Sequence, residues 1–231
     1  MLDAERQTLR MILPTTYMGS AEWYRQFLAN PSAVHIEVME SFPKQTYRNR
    51  CTITMPIGDK AKGEKQNAEN TLPFREGIGV GSLTLTVPVK RADSKQLTRD
   101  VEISYQQRWQ HQHWIALVSA YKRTPYFDYY ADFFRPFYEQ ETRFLVDFNE
   151  KIHEVILALV QNRVEWGSNG VALSSTEETI LHNTTQCYTI LHHTADWQGL
   201  NLEPCFGNGQ SILDTLFEYG PETPLALCRM V

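Results

Sequence analysis

The sequence predicts an α/β fold: a mixed sheet begun by a βαβ unit, helices packed on that sheet, and a helical C-terminal half. Three observations carry the prediction. Between Arg10 and Val38 an apolar run, an amphipathic stretch and a second apolar run follow one another, as strand, helix and parallel strand would. Two later segments alternate polar and apolar with a period near two. From Trp114 onward apolar residues recur three and four apart.

Taken in order, "RMILPTTY" (Arg10–Tyr17) reads as a first strand that stops near Pro14. In "SAEWYRQFLAN", Ser20 is a natural N-cap, and Trp23, Tyr24, Phe27 and Leu28 stand at helical spacing. Asn30-Pro31 ends that helix, and "AVHIEV" supplies the second strand. "TYRNRCTITM" and "SLTLTVPVK" are the alternating strands, and the polar "DKAKGEKQNAEN" between them is expected to be an exposed hairpin tip. "HWIALVSAY" aligns Trp114, Leu117, Val118 and Tyr121 on one helical face, and "YFDYYADFF" continues the helical region after Pro125. "LVDFNEKIHEVILALVQNRVEW" carries an apolar stripe through Phe148, Ile152, Val155, Ile156 and Leu159, so a helix is expected across it. "GVALSS" reads as another strand, followed by a capping box at Ser175 and Glu178. Near the end, "SILDTLFEYGPETP" has Ser211 as N-cap with Asp214 as its capping-box partner, and Gly220 and Pro221 as the stop. With no internal repeat and no linker, residues 1–231 are expected to form one domain.

Composition narrows the function classes. The chain is 42% hydrophobic and 21% charged, ordinary for a protein with a real core. A net charge of −5 excludes a broad nucleic-acid surface, which needs a basic face. No apolar run approaches the roughly 20 residues of a membrane-spanning helix. The four cysteines are widely spaced, and "MLDAERQTLR" lacks the apolar core of a signal peptide. These features lead to the expectation of a soluble, cytoplasmic protein.

Against that acidic background, "KQTYRNR" (Lys44–Arg50) gathers three cations in seven residues. On a strand, Lys44, Thr46, Arg48 and Arg50 would share one face, and the two arginines would present paired guanidinium forks to a phosphate or carboxylate. The plainer alternative is a solvated strand face. The segment follows the βαβ unit, near the edge where open α/β sheets bind ligands. The second cluster is "WQHQHW" (Trp109–Trp114). His111 and His113 would align on a strand and diverge on a helix. If His113 begins the helix, the positive end of the macrodipole favours its neutral form, a workable general base; a purely structural histidine is the alternative.

Other patterns point nowhere in particular. "GIGVG" precedes a strand with no helix behind it, the wrong context for a phosphate loop. Cys187, His192 and His193 in "CYTILHHT" match no zinc spacing, so no metal ligand is assigned. The P-loop, the G-x-S-x-G elbow and H-E-x-x-H are all missing from the sequence.

Read together and in this order, "KQTYRNRCTI", "LTVPVK", "SAYKRTPYFDYYADFF", "LVDFN" and "SILDTLFEYGP" resemble the WbqC-like family, from about Tyr17 to Pro221. The Asn49-Arg50 pair and "SAYKRTPYFDYY" are the most specific parts of that resemblance. Members of the family occur in gene clusters for bacterial O-antigen and other surface polysaccharides, with transfer of glycine to a sugar as one suggested role. The resemblance therefore implies a transferase that adds an acyl or aminoacyl group to a sugar or nucleotide sugar, its partner being that small molecule. Such chemistry needs a base, an oxyanion donor and cations for a phosphorylated substrate. The residues that fit are His113 as base, Asn49 as donor to an oxyanion or sugar hydroxyl, and Lys44, Arg48 and Arg50 as the anion site. Tyr121 and Tyr126 would stack on a ring, although each also suits a core position. The cofactor and any metal requirement are left open by the sequence. Two other classes stay open, an adenylating or nucleotidyl-transfer enzyme that uses ATP and Mg²⁺, and a non-catalytic glycan- or anion-binding protein.

Overall fold

The structure is a computed structural model that describes residues 11–29, 34–43, 46–56, 80–90, 95–161, 164–167, 170–173, 189–191 and 211–229. The opening unit is as expected. Strand β1 (Met11–Pro14), helix α1 (Ala21–Ala29) and strand β2 (Val34–Glu37) form a parallel βαβ arrangement with Met11 opposite Val34 and Pro14 opposite Glu37. Trp23, Tyr24 and Phe27 of α1 are buried, the face set by their three- and four-residue spacing. Strand β7 (Thr189–Leu191) adds to β2 in parallel, so β2 is central in the order β1-β2-β7.

Strands β3 (Arg50–Pro56) and β4 (Val80–Thr86) pair antiparallel, Arg50 opposite Thr86. Their alternation follows the predicted period at Cys51, Ile53 and Leu85, which face the core, and at Ser82 and Thr84, which face solvent, while Thr54 is buried and Leu83 exposed. Among the described residues, the parallel and antiparallel strands stand in separate ladders. Helices α2 (Trp109–Tyr121), α3 (Phe127–Phe134), α4 (Pro136–Glu139) and α5 (Leu145–Val160) follow, and then α6 (Ile212–Tyr219) and α7 (Thr223–Arg229) close the described chain.

Helix α5 is the central element. Ile156 through Val160 are consecutive and all buried, so its last turns are enclosed on every side. The helix stops at Val160, short of the expected span, and Val164–Gly167 is strand β5, paired antiparallel with β6 (Gly170–Leu173). The β-branched and aromatic "VEW" and the glycines opposite one another at Gly167 and Gly170 favour that hairpin over another helical turn. The polar stretch between β3 and β4, and the Ser175–Glu178 pair, lie outside the described residues.

Helix α6 corrects the sequence reading at its start. Ser211 does cap it, its Oγ accepting from Leu213 N at 3.3 Å. Asp214 does not complete a capping box. Its Oδ1 accepts from Thr54 N at 3.2 Å and from the Tyr121 hydroxyl at 3.0 Å, which ties α6 to β3 and α2. The pull toward an unsatisfied donor on another element outweighs the local cap.

At the other end of α6, Gly220 adopts φ +51° and ψ −120°, a conformation open only to glycine. A Cβ there would lie 2.4 Å from the Tyr126 ring. Gly220→Ala is therefore expected to destabilise the protein by about 2–4 kcal/mol through backbone strain and overpacking. A melting temperature equal to wild type in calorimetry would show that Tyr126 and the turn can yield.

Candidate functional site

The described part of "KQTYRNR", from Thr46, turns before it enters a strand. Lys44 lies outside the described residues. Thr46 to Asn49 form a tight turn closed by Asn49 N donating to Thr46 O at 3.3 Å, and the strand begins only at Arg50. Arg48 and Arg50 therefore do not share a strand face. Arg48 is buried, its Nε and Nη2 donate to Glu40, its Nη1 donates to Thr46 Oγ1 at 2.7 Å, and its guanidinium sits 5.0 Å from the Tyr47 ring centre. Its charge is met within the protein. Arg50 differs, for it is half-buried, its Nε has no acceptor, and among the described residues no carboxylate pairs with it. Asn49 donates from Nδ2 to Val87 O at 2.9 Å, and its buried Oδ1 has no donor. The open atom of Asn49 is thus an acceptor, suited to a hydroxyl rather than an oxyanion.

His113 lies in the second turn of α2, not at its start, and is 5% exposed. The Tyr17 hydroxyl meets its Nδ1 at 2.9 Å, and the ring also hydrogen-bonds the Thr86 backbone. Tyr17 reaches the Tyr138 hydroxyl at 3.0 Å, which extends the network to α4. Burial, not the macrodipole, holds the imidazole neutral by lowering its pKa to about 4. Trp109, Tyr17 and Tyr138 surround it. On the helix, His111 points to solvent and away from His113. Tyr121 is a core residue that packs on Phe217 at 4.8 Å, and Tyr126 stacks on Tyr130 at 5.9 Å beside Gly220. Cys187, His192 and His193 lie outside the described residues.

The structure assembles a different cluster where β1 and β2 end. Thr15 and Thr16 leave β1, Trp23 comes from α1 and Ile36 from β2, and α5 contributes Val146, Asn149, Glu150 and His153. They surround a small cleft of about 20 Å³, room for a water-sized group. Open α/β sheets bind ligands at the carboxyl ends of parallel strands, so its position is the expected one. Asn149, 1% exposed, donates to Arg48 O at 2.8 Å and Thr15 Oγ1 at 3.2 Å, and its Oδ1 has no donor. His153 meets the Tyr24 hydroxyl at 3.1 Å with Trp23 and Phe27 edge-on, and burial presses its pKa down to about 3. Glu37, at the end of β2, is fully buried, accepts from Met39 N, and has its pKa raised by desolvation.

The sequence reading passed over this cluster. Its signal was present, since Asn149 and His153 stand four apart inside the apolar stripe of the strongest helix, where a polar pair needs partners. Chemically the cleft offers acceptor oxygens from an amide, a carboxylate and two hydroxyls, the hydroxyls able to donate as well, beside a neutral imidazole. Among the described residues no lysine or arginine lines it. It suits a small hydrogen-bond donor such as an ammonium, an amide N–H or a hydroxyl, and it does not suit a phosphate.

With the fold and cleft in view, the comparison with known families is direct: residues 24–187 match the WbqC-like protein family, well over half of the chain. The chain belongs to that family. The matched span holds the Thr46–Asn49 turn, α2 and the α5 residues of the cleft, and it ends before α6. No curated protein and no solved structure matched this WbqC-like chain. No helix among the described residues is long and apolar enough to cross a membrane.

Two measurements follow from the interior chemistry. His113 and His153 are neutral in the fold but protonate readily when unfolded, so below about pH 6.5 the unfolded chain binds more protons. Stability should fall as pH drops from about 6.5 toward 4, by up to about 1.4 kcal/mol per unit for each histidine. Glu154 acts in the opposite sense, because burial and then Glu150 raise its pKa to about 7. Its penalty grows as pH rises from about 4.5 to 7. Glu154→Gln should therefore stabilise the protein at pH 8, by roughly 1–2 kcal/mol after solvent screening, and leave it unchanged at pH 4. Urea midpoints at the two pH values test both statements, and equal gains at pH 4 and 8 would reject the Glu154 assignment. Separately, Asn149→Ala should cost about 1–3 kcal/mol, because the buried Arg48 carbonyl loses its donor.

Proposed function

We propose that this WbqC-like protein is a transferase that adds a small acyl or aminoacyl group, glycyl being the natural case, to a sugar or nucleotide sugar destined for bacterial surface polysaccharide. The observation that carries the proposal is the acceptor-lined cleft at the ends of β1 and β2, too small for a nucleotide and suited to an ammonium. In this reading Asn149 Oδ1 receives the α-ammonium of the aminoacyl donor. The acceptor's hydroxyl or amine attacks the acyl carbon, its proton passes to a base, and the bond between the acyl carbon and its carrier breaks. Glu150, on the lining of the cleft, is the base in this reading, and His113 lies outside that lining. Arg50 is the cation for a phosphate of an activated sugar, and Asn49 Oδ1 the acceptor for a sugar hydroxyl. Arg48 shapes the turn that holds both.

A thermal-shift panel with nucleotide sugars, ATP plus Mg²⁺, aminoacyl donors and free sugars tests the reading, followed by mass-spectrometric detection of the aminoacylated sugar. A ligand at 100 times its dissociation constant should add about 2.7 kcal/mol of stability. Nucleotide sugars should stabilise wild type and fail to stabilise Arg50→Ala, whose unliganded melting temperature should barely move. Stabilisation by ATP plus Mg²⁺ alone would point to adenylation or nucleotidyl transfer, and by free glycan alone, with no transfer product, to a binding protein.

A further inference from the structure

A second, larger depression lies on the face formed before α5. Three extended segments are laced together there: Lys90 N donates to Glu102 O at 2.8 Å, Ser104 N to Pro88 O at 2.8 Å, and Ile103 N to Arg143 O at 2.9 Å. On this base opens a groove of about 550 Å³, within the range of roughly 300–1,000 Å³ common for small-molecule sites. Ile103 and Tyr105 form its apolar part, and Lys90, Gln106, Glu141, Thr142 and Arg143 its polar rim.

Two features define the chemistry it accepts. First, the Tyr105 hydroxyl is used up locally, donating to Thr142 O at 2.9 Å and accepting from Thr142 N at 2.8 Å. The ring is held in place, with Trp109 at 5.8 Å behind it, so the side chain offers the groove its apolar surface rather than its hydroxyl. Second, both cations are already paired with a carboxylate. Glu102 takes Lys90 Nζ on Oε2 at 2.5 Å, and on Oε1 takes Arg143 Nε at 2.9 Å and Nη2 at 2.8 Å. Both cations pair with Glu102, and with Glu141 on the rim the formal charges of the groove sum to zero.

A fixed aromatic surface, a neutral rim rich in donors and acceptors, and a pre-built base fit a ring with C–H groups on its face and hydroxyls on its edge. We infer that this groove binds a neutral, hydroxyl-rich hexose unit, the acceptor end of the sugar on which the transferase acts. The inference rests on the transferase reading only for the word acceptor; binding of the hexose stands on the groove alone. Phe144 and the first turn of α5, Leu145 to Phe148, separate Arg143 from Asn149 in the sequence, and from Leu145 to Asn149 the helix rises about 6 Å.

Saturation-transfer NMR on the full chain, with methyl glycosides of neutral hexoses and N-acetylhexosamines as probes, tests this without any turnover. At least one class should receive saturation on its ring C–H protons. Tyr105→Ala should weaken binding about fivefold or more, and Gln106→Ala and Arg143→Ala about two- to fivefold. If Tyr105→Ala does not fold, the other two decide, because both lie at exposed positions. Lys122→Ala, at the exposed C-terminal cap of α2 and outside the groove lining, should bind as wild type. The inference is overturned if no glycoside receives saturation, if binding survives all three groove variants, or if uridine diphosphate displaces the glycoside. Glycoside binding without any transfer product would leave the groove standing and remove the transferase reading. Transfer with an acceptor KM untouched by the groove variants would do the reverse.

Discussion

The side-chain amide of Asn149, buried on α5, donates to the Arg48 carbonyl and to Thr15 Oγ1, so segments more than a hundred residues apart meet at one group. The geometry around the cleft follows from that meeting. Because α5 holds the Arg48 carbonyl, the Thr46–Asn49 turn is fixed against the end of β1. Tyr17 N donating to Tyr47 O at 3.1 Å holds the same turn from the other side. With the turn fixed, Arg48 is delivered to Glu40, and Arg50 is left as the residue that enters β3 with a polar atom to spare. A hydrophobic residue at position 149 would fill the same space but leave the carbonyl without a donor.

The interior is polar in an economical way. Tyr17, His113, Tyr138, Asn149 and His153 are all buried, and all are neutral in the fold. Neutral groups that find partners lose little on leaving water, whereas an ion loses a great deal. Among the described residues the one buried guanidinium, Arg48, obeys the same rule by carrying a carboxylate, a hydroxyl and a tyrosine ring with it. The aromatic residues that looked ready to grip a ligand serve this interior instead. Tyr121 anchors Asp214, and Tyr126 covers a glycine that leaves room for its ring.

The elements that the sequence announced most clearly were those whose pattern involves no distant partner. The βαβ opening, the alternation of β3 and β4, and the α2, α3 and α5 helices are local periodicities, and they hold. What local pattern misjudged was decided at long range. "KQTYRNR" looked like a cationic strand because Glu40, eight residues upstream, was not counted as its counter-ion. Ser211 and Asp214 looked like a reciprocal cap because Thr54 N and the Tyr121 hydroxyl, more than ninety residues away, were out of sight. His113 was expected to be neutral, and it is, but burial in an aromatic shell is the cause. The cleft itself was written in the sequence as two polar residues four apart on an apolar stripe, a signal that calls for partners without saying which.

One bond sets the order in which this chain can complete itself. Ser211 Oγ donates to Met18 O at 3.0 Å across 193 residues, and beside it Ile212 N donates to Gly19 O and Ser211 N to Thr52 O. The loop that leaves β1 is thus finished by residues that follow it by 193 positions. During synthesis, at roughly 5–20 residues per second, the opening βαβ unit must wait some ten seconds or more before α6 exists to seal it. Contacts of such long range also slow folding, since the closing entropy is spent before the contact returns anything. A nascent chain of this protein is therefore the form most exposed to misassociation, with the aromatic face of α1 made and its cover not yet translated.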